Sequence, residues 1–165
     1  MTVTANARTA GVLYLLYVVV GMGSLTGANA QVSSVVMAFC ALGLGVTLYG
    51  LTRTVDHELA IMAMASRLLE AAPGSSGEIF FAVGSTIFCV LLLRGRLIPP
   101  VLAWLGILSS AFLVAHLLLI AGGLFGGRTD WSSPLTWLIW LPVLIFELAF
   151  AVWLLAKGVT TARQH

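Results

Sequence analysis

The sequence carries very little charge. Of its 165 residues, eight are Lys or Arg and six are Asp or Glu, so that 8% are charged while 60% are hydrophobic. An ordinary soluble domain is about 25% charged, and a soluble fold of this length could not bury so much apolar surface. The composition therefore excludes a soluble domain. It predicts an all-α, polytopic integral membrane protein with a single transmembrane helical domain over residues 1–165.

Basic clusters, cysteine pairs and cofactor motifs are also missing. The net charge is only +2 and Lys and Arg do not cluster, which argues against nucleic acid as a partner. The two cysteines, Cys40 and Cys89, lie in apolar stretches and are predicted to be buried small side chains. A disulfide or a metal site is the alternative. Since no CxxC, HExxH, phosphate-loop or dinucleotide-binding pattern occurs, we predict no cofactor and no metal.

Six apolar stretches are present instead, at residues 9–27, 31–51, 59–72, 78–93, 98–124 and 134–156. A helix rises about 1.5 Å per residue, and about 20 residues cross the hydrocarbon core. The third and fourth stretches are shorter than this, and the turn signal Pro-Gly-Ser-Ser-Gly separates them. We therefore predict six transmembrane helices in which the third and fourth form a short hairpin shielded by longer neighbours. A single re-entrant pair is the alternative.

The basic residues predict the orientation of these helices. If six helices cross the membrane, both termini lie on one side, and that side holds six of the eight basic residues. These six are Arg8, Arg53, Arg94, Arg96, Lys157 and Arg163. The positive-inside rule then places the N- and C-termini in the cytoplasm. Residues 1–30 also resemble a signal peptide that ends in Ala-Asn-Ala, but we expect them to be retained as the first span.

Three ionisable residues lie inside apolar stretches, where a charge must pair, line a cavity or take part in chemistry. Arg67 and Glu70 are three residues apart, and Glu147 lies in the last stretch. Counting at 1.5 Å per residue places Arg67 roughly 13 Å and Glu147 roughly 15 Å from the cytoplasmic face. An Arg67–Glu147 ion pair is therefore geometrically plausible. Glu70, one turn further along the same helix face, can share the arginine.

Two interpretations of these charges are open. In the first, a buried arginine between two carboxylates fixes the packing of the third and sixth helices. In the second, one carboxylate pairs with Arg67, and the other, removed from water, holds a proton and serves as a general acid. The candidate catalytic residues are accordingly Arg67, Glu70 and Glu147.

Aromatic residues at helical spacing accompany these charges. Tyr14 and Tyr17 are three apart in the first stretch, as are Trp137 and Trp140 in the last, and His116 lies in the outer half of the fifth. Interface packing and a membrane-interface belt are one interpretation. The other is an aromatic-lined pocket for a hydrophobic ligand, with these five residues as candidate binding residues.

Short motifs in a fixed order carry a family resemblance. They are RTAGVLYLL from Arg8, LYGL from Leu48, LAI from Leu59, RLLEAA from Arg67, LLLR from Leu91, LIP from Leu97, LAWLG from Leu102 and ELAFAVWLLAKG from Glu147. In this order they resemble the bacterial membrane family catalogued as domain of unknown function 4386, over nearly the whole chain. The chain departs from the family pattern in the brief turn at residues 73–77. The resemblance implies a multi-pass protein of the bacterial cytoplasmic (inner) membrane and carries no assigned activity.

We predict an Arg/Glu site in an apolar, aromatic-lined pocket that binds a lipophilic, isoprenoid- or lipid-like molecule or acts on it by general acid chemistry. The lipid bilayer is a certain neighbour, and a second copy or another membrane protein is a further possible partner. The alternatives are a non-catalytic accessory or structural subunit and a small proton-coupled transporter. An enzyme needs a closed cavity that both carboxylates reach. An accessory subunit should have the three charged groups mutually satisfied with no void beside them, and a transporter needs a polar route across the bilayer.

Overall fold

The computed structural model describes residues 2–27, 29–72, 77–124 and 129–159 of the chain. These residues form six α-helices, which are α1 (Val3–Leu25), α2 (Ala30–Thr52), α3 (His57–Glu70), α4 (Gly77–Arg94), α5 (Pro100–Ala121) and α6 (Pro134–Ala156). All of them except α3 are long and apolar enough to cross a membrane. The all-α class is confirmed, and the five long apolar helices mark the chain as a multi-pass membrane protein.

Local sequence signals set where the helices begin. The side chain of Asn29 accepts hydrogen bonds from the backbone amides of Gln31 and Val32 at the start of α2. Asp56 does the same for Leu59 in α3, and Pro100 and Pro134 occupy the first positions of α5 and α6. These residues satisfy or remove the backbone donors that a helix start leaves without partners.

The third helix is short, as predicted, but the fourth is not. With 14 residues, α3 rises roughly 21 Å and falls short of a bilayer core of about 30 Å. Helix α4 has 18 residues and is one of the five that meet the length for a span. The prediction that the fourth segment is also short is therefore wrong, because the helix extends beyond the predicted stretch at both ends.

The helices form a closed ring in chain order. Each helix packs against its neighbours in sequence, and α6 closes the ring on α1. Because the chain direction alternates, the start of α1 and the end of α6 lie at the same end of the ring. We call the half at this end the near half and the other half the far half.

The near half is filled by a large apolar core. Buried side chains from several helices meet there, including Leu48, Phe88, Leu91 and Phe150. A smaller cluster around Phe81 occupies the far half, and its buried members come from α4, α5 and α6. In the far half, the described residues of α1, α2 and α6 do not form a comparable buried core where these three helices face one another. Cys40 and Cys89 are buried free thiols, as predicted.

Close packing in the near half gives a testable expectation. A Cβ atom on Gly106 of α5 would lie 2.5 Å from the Cys89 sulfur and 2.6 Å from the Phe146 ring. Gly106→Ala is therefore expected to lower stability by about 1–3 kcal/mol, measured as a lower Tm in one detergent. The control is Gly21→Ala in α1, where the nearest atom to the added Cβ is 3.6 Å away. Equal Tm values for the two variants would contradict this packing.

Candidate functional site

Arg67 is fully buried in the last turn of α3. The neighbouring helices make room for its long side chain with glycines. A Cβ on Gly45 of α2 would lie 3.1 Å from the Arg67 Cβ, and one on Gly84 of α4 would lie 3.1 Å from Ser66. The absence of side chains at these two positions allows α3 to lie close to both of its neighbours in the ring.

The Arg67 guanidinium is held by partners from three helices. Its Nη1 donates to Glu70 Oε2 at 2.9 Å, and its Nη2 donates to Ser85 Oγ at 3.0 Å and to Tyr14 OH at 3.3 Å. Its Cζ lies 4.8 Å from the centroid of the Phe81 ring, within the range of a cation–π interaction. Only Nε has no hydrogen-bond partner among the described residues. The positive charge is thus compensated where it lies.

Glu70 is the carboxylate that pairs with Arg67, and both of its oxygens have partners. Oε2 accepts from Arg67, and Oε1 accepts from Tyr17 OH at 2.7 Å. The Arg67–Glu147 ion pair that depth counting made plausible does not form, since among the described residues Arg67 has only Glu70 as an ion-pair partner within 4 Å. The reason is local, because Glu70 lies three residues away on the same helix and reaches the guanidinium within one turn.

Glu147 is in a different situation. It lies on α6, its side chain is buried with 6% exposure, and its Oε1 has no hydrogen-bond partner within the described part of the chain. A buried polar atom without a partner loses the free energy of its hydration, by about 1–3 kcal/mol or more. Such an atom on a native residue calls for a functional explanation or a missing partner.

Glu70 and Glu147 both line a cavity of about 680 Å³ in the far half of the ring. Its walls come from the second half of α1, the first half of α2, the ends of α3 and α4 that face each other, and the first half of α6. The cavity lies in the far half because α3 is short. Since α3 ends at Glu70, it fills the ring in the near half only. Arg67 lies behind Glu70 and is not one of the lining residues.

Aromatic rings form one continuous side of this cavity. The Phe81 ring stacks on Tyr17 at 6.0 Å and on Trp140 at 5.9 Å between centroids. Trp131 lies 5.3 Å from Trp140 and 5.7 Å from Trp137, whose Nε1 donates to the Trp131 carbonyl at 3.0 Å. All five line the cavity, so that a ligand there would contact aromatic faces or edges. The Trp140 Nε1 is buried without a hydrogen-bond partner among the described residues.

The predicted site residues fall into three groups. Five of them line the cavity, namely Tyr17, Glu70, Trp137, Trp140 and Glu147. Arg67 lies one layer behind and donates to Glu70, and Tyr14 lies there too and accepts a hydrogen bond from Arg67. His116 is buried on α5, which contributes none of the described lining residues.

The structure adds Glu78, Phe81, Ser85 and Trp131, which sequence reasoning did not assign to the site. Glu78 lines the cavity and accepts a hydrogen bond from Thr129 Oγ1 at 2.5 Å. Ser85 and Phe81 are four apart on α4 and both contact the guanidinium. A serine one turn after a phenylalanine in an apolar helix was the available signal, and it is a weak one.

The chemistry of these groups is set by their partners. Glu70 has a cation and a phenol bound to its two oxygens, which favours the ionised carboxylate. Glu147 lines the cavity, has a buried oxygen without a partner among the described residues, and is the group that could give or take a proton. Among the described residues, no group of three or more His, Cys, Asp and Glu side chains could hold a metal ion.

Fold and site together define an all-α, multi-pass membrane protein with a buried Arg/Glu pair beside a cavity. The family model described as Domain of unknown function (DUF4386) matches residues 74–158, which is more than half of the chain. The chain belongs to this family, and the family resemblance is confirmed over residues 74–158. The matched region includes Phe81, Trp140 and Glu147, whereas Arg67 and Glu70 precede it. No curated protein and no solved structure matches the chain.

Proposed function

We propose that the protein binds a lipophilic, isoprenoid- or lipid-like small molecule in the far-half cavity and that Glu147 acts on it as a general acid. The observation that carries this proposal is the buried Oε1 of Glu147, which has no partner among the described residues and belongs to a cavity-lining side chain. The neutral form of a carboxyl group is favoured where no partner compensates its charge, and a neutral carboxyl group has a proton to donate.

The surrounding residues would serve this role in distinct ways. Arg67 and Tyr17 bind both oxygens of Glu70, so that Glu70 and Glu147 differ in their hydrogen-bond partners. Trp137, Trp140 and Phe81 supply apolar contact area and π-faces for the ligand. The unpartnered Nε1 of Trp140 supplies one hydrogen-bond donor to orient it.

This proposal is favoured over its two rivals. An accessory subunit should have its three buried charges mutually satisfied with no void beside them, but Glu147 has an open oxygen and borders a cavity. A transporter needs a polar route through both halves of the ring, but the near half is filled by the apolar core around Phe88 and Leu91.

A dye-binding experiment tests the proposal. The neutral, environment-sensitive dye N-phenylnaphthylamine is expected to bind the protein in lipid nanodiscs with a saturable component of about one dye per chain. Ala38→Phe places a ring in the cavity that Ala38 lines, and we expect this change to weaken dye binding by about tenfold or more. Energy transfer from the three cavity tryptophans to the dye reports occupancy.

The control is Val46→Phe, on the outward-facing side of the same helix, which should leave dye binding unchanged. Empty nanodiscs give the signal of dye dissolved in lipid alone. A wild-type protein whose dye signal equals that of empty nanodiscs would contradict the proposal, as would a signal that Ala38→Phe does not change.

We further propose that all six helices cross a bacterial cytoplasmic membrane with both termini in the cytoplasm, and that α3 does so where its neighbours shield it. The described basic residues at the ends of helices support this orientation. Arg8, Arg53, Arg94, Arg96 and Lys157 all lie towards the near end of the ring. That end then faces the cytoplasm by the positive-inside rule.

Cysteine labelling checks this orientation. In a variant without Cys40 and Cys89, Thr26→Cys should react with a membrane-impermeant maleimide in intact bacteria. Arg53→Cys should react only after the cells are lysed, because it lies at the other end of α2. Both positions are exposed in the structure, so accessibility to the reagent depends on the side of the membrane. The reverse pattern would show the opposite orientation.

A further inference from the structure

The charges around the cavity restrict the chemistry of its ligand. Three carboxyl groups, those of Glu70, Glu78 and Glu147, line the cavity, and none of the described lining residues is Lys, Arg or His. Among the described cations, Arg67 lies behind Glu70 and is already compensated by it. A ligand in the cavity would therefore meet carboxyl groups and π-faces but no described positive charge.

The partners of these carboxyl groups single out one of them. Both oxygens of Glu70 accept hydrogen bonds, from Arg67 and from Tyr17. Glu78 accepts one from Thr129. Glu147 alone among the three has a buried oxygen with no hydrogen-bond partner in the described part of the chain. Its side chain is more than nine-tenths buried and lines the cavity, so a ligand there lies beside the one carboxyl group that has an oxygen without a described partner.

We infer that the ligand is a lipophilic cation, meaning an amine or a quaternary ammonium or phosphonium group on an apolar body, with its charge paired to the Glu147 carboxylate. This inference rests on the proposed function, since it names the ligand class of the same cavity. A fatty acid or a lipid phosphate would bring a further negative charge into a site that holds carboxyl groups, and like charges repel strongly where water is excluded. A cation gains both the carboxylate and the π-faces of the aromatic wall.

The net charge inside the ring can stay constant when the ligand binds beside Glu147. In the empty cavity the carboxyl group holds a proton. A neutral amine takes that proton from Glu147, which is the general-acid step, and stays bound as the ammonium ion, whereas a permanent cation displaces the proton to solvent. In both cases the net charge inside the ring stays the same and no isolated charge is buried. The titratable groups that face Glu147 are Tyr14 and Tyr17 on α1, Arg67 and Glu70 on α3 and Cys89 on α4.

Two ions of the same shape and opposite charge test the inference. Tetraphenylphosphonium and tetraphenylborate each carry four phenyl groups around a central atom. Each would be titrated against N-phenylnaphthylamine bound to the protein in phosphatidylcholine nanodiscs, with empty nanodiscs correcting for partition into lipid. Tetraphenylphosphonium should displace the dye at a concentration about 10- to 100-fold lower than tetraphenylborate does, the range expected of one charge-assisted contact. A second pair, dodecyltrimethylammonium and dodecyl sulfate, repeats the comparison with a linear body.

Two variants test whether the preference for the cation depends on Glu147. Glu147→Gln should remove the preference for the cation, measured as the ratio of the two displacing concentrations on that variant. Glu58→Gln, a change of an exposed carboxylate at the start of α3, should leave the preference unchanged. Bound dye with no preference for the cation in either pair would overturn the inference and leave the proposed function standing. A preference for the cation that persists in the Glu147→Gln variant would likewise overturn the inference and leave the proposed function standing. Failure of the dye itself to bind would instead overturn the proposed function.

Discussion

Replacing Arg67 with methionine is expected to destabilise the protein by about 3–5 kcal/mol, enough to leave little folded protein after extraction in mild detergent. Methionine retains most of the length of the side chain but removes the charge and all three of its hydrogen bonds. Glu70 would then keep only Tyr17 as a partner while it remains almost fully buried. The folded fraction by size-exclusion chromatography and the Tm of what remains measure the effect.

The exposed ion pair of the same protein is the matched control. Arg94 lies 3.7 Å from Asp56, and its side chain is 59% exposed. Arg94→Met is therefore expected to change stability by about 1 kcal/mol or less. The double variant Arg67→Met with Glu70→Met removes both buried charges and should recover part of the loss. An Arg67→Met protein as stable as Arg94→Met would contradict the described hydrogen-bond network.

Replacing Glu147 with leucine is expected to have the opposite effect on stability. Its buried Oε1 has no partner in the described structure, so an apolar side chain of similar size removes a desolvated polar group. We expect Tm to rise, by the equivalent of about 1–3 kcal/mol, while binding of tetraphenylphosphonium weakens by about tenfold or more. A stabilising change that abolishes binding is typical of a residue retained for function.

Glu70→Leu is the comparison for this prediction. It removes a carboxylate of the same cavity, but one that holds Arg67, and it should lower Tm because it leaves a buried guanidinium without its counter-ion. The two substitutions thus have opposite signs. If Glu147→Leu also lowered Tm, Glu147 would be part of the packing, and the argument for a ligand at its open oxygen would fail.

Composition and hydrophobic runs were sufficient to predict the fold. The six apolar stretches correspond to the six helices, and the shortness of the third was apparent from its length alone. The fourth was harder because the residues at its two ends, Gly77 and Arg94, do not look apolar, although they belong to the helix. Hydropathy is least able to predict where a transmembrane helix begins or ends when its terminal residues are polar.

The three buried charged residues could be singled out from the sequence, but their pairing could not. Arg67, Glu70 and Glu147 stand out because ionisable groups in apolar helices are rare. Depth counting placed Arg67 and Glu147 at similar levels, but depth says nothing about direction around the ring. The local geometry of one helical turn, and the Tyr17 hydroxyl on a different helix, decide which carboxylate pairs.

The two tyrosines illustrate the same limit. Tyr14 and Tyr17 are three residues apart, and both were candidate binding residues. One turn of helix separates them by about 4.5 Å along the axis. Tyr14 therefore packs in the near-half core against Phe150 and is not one of the lining residues of the cavity. Tyr17 lies level with Glu70 and lines the cavity. The difference depends on where α3 ends, which no feature of α1 itself encodes.

Native mass spectrometry of the protein released from mild detergent tests the central claim most directly. The account predicts one discrete lipophilic mass bound to the wild-type chain in a one-to-one ratio. It also predicts that this mass is lost from the Ala38→Phe variant, whose cavity is filled, and retained in Val46→Phe. Bulk phospholipid at variable stoichiometry, equal in all three proteins, would contradict the claim that the cavity beside Glu147 is a ligand site.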